Sequence, residues 1–249
     1  MTAPQGPKSD SPTRVLDPAS PAWGLATRRM AWRLTWRGWL LLLTVLFSLL
    51  LVLWLCVYSF LAPNQPLPSG LLIVEGWSPS YTTKQIADVF RSGHFQKVLV
   101  LRPVGDSTNK YESGRFSGDY MVNLLVQRGV PQDCVSGIFP PIAGKDRTYH
   151  SALAAKRWLV QQGISFETID VATLGPHARR SRLLFQKAFG RDTKVGIIPL
   201  DDLEYDPAHW WRASEGVREV VGEGIAYLYA RILFHPSRAD NETANKPLN

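Results

Sequence analysis

With 249 residues and a net charge of +7, the chain is long enough for one substantial domain plus an appendage. Its first 38 residues hold six basic and two acidic side chains, or +4, which leaves +3 for the rest. That excess is too diffuse for a nucleic-acid surface, and no nucleic-acid-binding motif accompanies it. Cys56 lies in an apolar run and Cys134 far along the chain, which excludes a disulfide-stapled scaffold.

Residues 1–38 form a basic tail that is predicted to be disordered, because its first 27 residues are rich in Pro, Ser and Ala with no helical or strand period. From Leu40 to Ala62 no charged side chain occurs. Twenty-three helical residues reach roughly 34 Å, enough to cross a hydrocarbon core of about 30 Å. Residues 39–62 are therefore predicted to be a transmembrane signal anchor. The run is too long for a cleaved leader, and Phe60 stands where a small residue is needed for cleavage after Ala62.

The basic residues before this helix, Lys8, Arg14, Arg28, Arg29, Arg33 and Arg37, contrast with the next one after it, Lys84. By the positive-inside rule the N-terminus is cytoplasmic, which makes the protein single-pass in the plasma (inner) membrane with an extracytoplasmic or periplasmic domain. Trp54 and Tyr58 fit an interfacial aromatic belt. Residues 63–69 read as a proline-stiffened spacer.

From residue 70 to 235, short apolar runs (71–75, 97–102, 134–139, 166–172, 194–200) alternate with helical segments (about 81–92, 115–129, 147–163, 177–190). Gly163 and Gly190 close the last two of these helices. This alternation predicts an α/β fold, a three-layer parallel sheet with helices on both faces. A last helix over 213–234 carries Val217, Val220, Val221, Ile225, Leu228 and Ile232 as a stripe expected to pack on the sheet. Residues 236–249 read as a flexible tail.

Ligands of such sheets bind beyond the carboxyl ends of the strands, which directs attention to the loops there. In "TLGPHARRS", Gly175 and Pro176 break a strand and place His177, Arg179, Arg180 and Ser181 in a first helical turn. Basic residues there oppose the helix dipole unless an anion is bound. Arg179 and Arg180 would neutralise it, and His177 suits proton transfer near neutral pH. In "KDRTYHSA", Asp146 or Thr148 can cap a helix, while Thr148 and Ser151 present hydroxyls at its start. In "EGW", Glu75 ends a buried strand and Gly76 permits a sharp turn or close approach to a ligand. Glu75 there suits a general base, a metal ligand or an arginine partner. Ser214 is a further expected helix cap, and Trp210 and Trp211 read as core and interface. The histidines are too scattered to claim a metal site, and no nucleotide, zinc-protease or serine-hydrolase motif occurs. The sequence names no cofactor.

Taken together, "LLIVEGW", "RGVP", the T-x-x-S-A of "DRTYHSA", the H-x-x-R of "HARR" and "WWRASEGVREVVGEGIAYLYARI" resemble the bacterial SanA/ElyC/YdcF family over about residues 70–234. The resemblance points to a subgroup, because many members carry a glycine-rich turn where this chain has Glu75 and Gly76. It implies a Rossmann-like, often membrane-anchored domain tied to envelope biogenesis and to peptidoglycan or its lipid carrier. Glu75, Gly76, Thr148, Ser151, His177 and Arg180 are then the pocket. The expected ligand is a small anionic, phosphate-bearing metabolite or lipid-linked precursor, handled with or without phosphoester chemistry. The competing expectation is a non-catalytic sensor or scaffold for envelope protein partners.

Overall fold

The computed structural model describes residues 34–68, 70–93, 95–101, 120–140 and 144–237. The tails at 1–33 and 238–249, Ser69, His94, residues 141–143, and all of the loop and helix start expected between 102 and 119 lie outside these residues.

Helix α1 runs from Trp36 to Leu61, and it alone among the described residues is long and apolar enough to cross a membrane. Two of its hydroxyls are satisfied within the helix: Thr44 donates to the Leu40 carbonyl and Ser48 to that of Thr44, each at 2.9 Å.

Beyond it lies an all-parallel sheet of β1 (Leu71–Glu75), β2 (Lys97–Leu101), β3 (Val135–Ile138), β4 (Thr168–Leu174) and β5 (Lys194–Leu200) in the order β3-β2-β1-β4-β5. Helices α2 (Thr82–Ser92) and α3 (Tyr120–Gln127) cover one face, and α4 (Arg147–Gln161) and α5 (Ala178–Phe189) the other. Strand β1 shows why both faces are buried. Leu71 and Ile73 join the core under α4 and α5, whereas Leu72 and Val74 join that under α2 and α3. Successive side chains point to opposite faces, so an unbroken apolar strand needs cover on both. The expected α/β, Rossmann-like architecture is what forms.

Residues 63–69 are not a free spacer. Gln65 pairs with Ile197 through two backbone bonds of 2.9 and 3.0 Å, and the Leu67 amide donates at 2.9 Å to Asp170, buried in β4. The carboxylate reaches over Gly196 of β5, where a Cβ would lie 1.9 Å from Asp170 Oδ1. This pairing covers the backbone edge that β5 would otherwise present.

Helix α6 spans Ser214–Leu228 and continues in a π turn, Tyr229–Leu233. The expected apolar stripe is not its packing face. Val217, Val221, Ile225, Leu228 and Ile232 are all exposed, and only Val220 of that set is buried. The helix instead turns Gly216, Val220, Glu223 and Tyr227 inward, residues that recur at helical spacing on another face. The small face wins because it fits closely: a Cβ on Gly216 would stand 2.3 Å from the Trp210 carbonyl.

Neither Trp54 nor Tyr58 serves only a lipid belt: Tyr58 packs against a third core cluster, and the exposed Trp54 touches its edge. Leu61, Tyr205, Trp210 and Val220 form its centre, with Val57, Tyr58, Trp211 and Tyr227 around them. Trp54 meets Trp210 at 4.4 Å between ring centroids. Three smaller expectations also shift. Ser214 sits inside α6 and bonds Glu215, while Ala213 holds the cap position. Asp146 precedes α4 in a left-handed conformation, and neither it nor Thr148 caps the helix through its side chain. Cys134 ends a short 3-10 turn, Gln132–Cys134, instead of entering β3.

Candidate functional site

The strand order reverses between β1 and β4, the switch point where sheets of this kind leave a crevice at their carboxyl ends. Glu75 is the last residue of β1, and the 3-10 turn Gly175–His177 follows β4 directly. Gly175 takes a φ of 34°, a conformation that favours glycine, and this turn delivers His177 to the crevice ahead of α5.

His177 is buried between two carboxylates. Its Nε2 stands 3.5 Å from Glu75 Oε2, and its Nδ1 lies 2.8 Å from Glu223 Oε1 on α6. Arg180 grips the same Glu223 with two bonds, Nε to Oε2 at 2.7 Å and Nη2 to Oε1 at 2.9 Å. Arg180 Nη2 is also 2.9 Å from His177 Nδ1. Both are donors once the imidazole is charged, so Glu223 is the acceptor they share. Ser181 Oγ donates to Glu75 Oε2 at 2.6 Å, and the Trp77 ring meets the imidazole edge-on with centroids 4.9 Å apart.

Electrostatics follow from this packing. Burial alone would lower the pKa of His177, but the Glu75 charge and the bonds to Glu223 and Glu75 outweigh it and raise it to about 9. Burial alone would raise Glu223, yet its bonds to His177 and Arg180 hold it at about 2. Glu75 is likewise lowered against its own burial, by the His177 charge and by hydrogen bonding from His177 and Ser181. At neutral pH the cluster holds two carboxylates and two cations. His177 is then a fixed imidazolium, suited to donate a proton or a hydrogen bond rather than to act as a base.

The other sequence candidates separate. Arg179 turns away, its Nε donating to the Phe60 carbonyl and its guanidinium stacking 4.0 Å from the Phe60 ring centroid. Gly76 serves the sheet: its amide donates to the Leu101 carbonyl at 2.8 Å, and a Cβ there would lie 2.6 Å from that oxygen. Thr148 and Ser151 sit in the first turns of α4, beside Asp146, whose charge adds to those that raise the Arg180 pKa against its burial. Sequence reasoning missed Glu223 and Trp77. Glu223 shares the inward face of α6 with Gly216, Val220 and Tyr227, and that periodicity was the available signal.

Among the described residues no group of three or more His, Cys, Asp or Glu side chains is arranged to hold a metal ion. A shallow groove lined by Arg182, Gln186, Arg191 and Lys194 lies at the amino end of β5, away from the cluster. Comparison of the chain with protein-family models, with curated proteins and with solved structures finds no match.

Proposed function

We propose that the chain is a membrane-anchored, extracytoplasmic domain of cell-envelope biogenesis that binds an anionic, phosphate-bearing metabolite at the switch point. The cell-wall precursors and lipid carriers implied by the resemblance to SanA/ElyC/YdcF proteins are the ligand class. The observation that carries this reading is Glu223 itself, an anion held bidentately by Arg180 and bonded by the buried His177. Arg180 and His177 form a preorganised anion cradle, and a phosphate group competes with Glu223 for it. His177 then donates to a phosphate or leaving-group oxygen, while Glu75, fixed by Ser181, keeps the imidazole charged and oriented.

Calorimetric titration of the full chain in nanodiscs with inorganic phosphate, phosphorylated sugars, nucleotides and polyprenyl-phosphate analogues tests this. Glu223→Gln is expected to tighten phosphate binding by about tenfold, the change that 1.4 kcal/mol of lost competition gives. Arg180→Ala is expected to abolish it. A folded Glu223→Gln chain that binds none of these ligands overturns the proposal.

A second reading rests on the same bond. Each arginine of "HARRSR" has a partner within the chain: Arg179 on Phe60, Arg180 on Glu223, Arg182 on the Val195 carbonyl at 2.9 Å. On this reading the cluster ties α6 to the sheet in a non-catalytic sensor or scaffold, and failure of all ligand titrations selects it.

A further inference from the structure

Helix α6 has an inner face that packs and an outer face that none of the described residues covers. The inner face joins the last turns of α1: Val220 lies in the cluster with Leu61, and Tyr227 meets Phe60 edge-on at 5.6 Å. The outer face bears Val217, Val221, Ile225, Leu228 and Ile232, between 37% and 65% exposed. Arg218 and Arg231 are exposed on the same helix.

The depth of this helix follows from α1. About 20 helical residues cross a hydrocarbon core, so a span that begins at Leu40 still needs the turn around Ser59. Trp54 precedes Leu61 by seven residues, about 10 Å along the axis. Yet Trp54 packs at a tilt against Trp210, and Tyr58 meets Tyr205 edge-on at 6.4 Å. Groups from the layer that carries α6 thus reach the part of α1 required for the crossing, which sets α6 at the boundary of headgroups and acyl chains. A continuous apolar stripe open to water is a liability for a soluble surface. At that boundary it is the signature of a helix lying in the interface, with arginines able to reach the headgroups.

We infer that α6 rests in the leaflet at the C-terminal end of α1, its Val217–Ile232 stripe embedded among lipid chains, so that the domain is held by a second, interfacial contact with the bilayer. This contact depends on α1 crossing a membrane and stands independently of any anion at the switch point.

The test uses the full chain in phosphatidylcholine nanodiscs, with Cys56→Ser and Cys134→Ser as background. An environment-sensitive fluorophore is attached through Val221→Cys, Ile225→Cys, Leu228→Cys and, as the control, Gly222→Cys, where a Cβ meets nothing within 4 Å. Nitroxide-labelled lipid is expected to quench the three stripe positions at least about twofold more than position 222, and aqueous iodide the reverse, as for an interfacial helix. Equal iodide quenching at all four overturns the inference. So does shielding of the stripe from both quenchers, which assigns it to a protein partner or a second copy. A lipid-soluble diazirine applied to the unaltered chain decides independently of folding in the variants: labelling of the stripe within 217–232 is expected, and its absence overturns the contact.

Discussion

The charge of His177 makes a testable demand on the pH dependence of folding. Its pKa of about 9 in the folded chain stands above the 6.5 of a free histidine. The stabilisation this represents is fully present below about 6.5 and is lost as pH rises through 9, because the folded state holds the proton more tightly. A difference of that size corresponds to about 3 kcal/mol, or roughly 6–12 °C in Tm for a domain of this length. Thermal unfolding of the full chain, followed between pH 6 and 10, is expected to show that decline. Glu75→Gln removes the charge that contributes most to raising the pKa and leaves the side chain's shape nearly unchanged. The decline should then shrink to less than about half and move to lower pH. Histidine ring resonances provide the direct check. A His177 that titrates below pH 7 in the native chain, or a Glu75→Gln chain whose pH profile overlays that of the native one, refutes the reasoning.

Glu219 should act in the same direction over a lower pH window, since burial and the neighbouring Asp202 carboxylate push it up to about 7. A raised carboxyl stabilises below its unfolded pKa and ceases to as pH rises through 7, so Glu219→Gln should remove this loss and raise Tm at pH 8. Trp210→Ala empties the centre of the third cluster and is expected to cost about 3–5 kcal/mol, read by denaturant titration in detergent. Gly196→Ala drives a Cβ into Asp170 and breaks its bond to Leu67, a loss on the order of 3 kcal/mol, with faster amide exchange at residues 65–67 as its local signature.

The fold was legible because its signals are local. Five apolar runs, the turn residues between them and the break at Gly175–Pro176 each constrain their own few residues, and together they admit little but a parallel sheet. The pairing of His177 with Glu75 across the switch point was accessible in the same way, since both follow strands directly. Glu223 was not, because two apolar stripes on α6 compete and only the close fit of Gly216 against Trp210 decides between them. For the same reason Arg179 was read as an anion partner. Its stacking on Phe60 joins positions 119 residues apart, a pairing that no local pattern encodes.

The spacer that pairs with β5 alters what it means to cut this protein. A truncation that begins beyond residue 62 discards Val57, Tyr58 and Leu61, and so strips one wall from the cluster around Trp210 and Val220. The severed fragment would expose a sticky apolar scar beside Glu223 and tend to aggregate, whatever the intrinsic solubility of the sheet. A protease seeking an extended loop at the junction meets a chain already tied down, by backbone pairing at Gln65 and by the bond from the Leu67 amide to the Asp170 carboxylate. Shedding the domain from its anchor therefore requires local unfolding first, and a soluble, freely circulating form is not among the states this chain reaches easily.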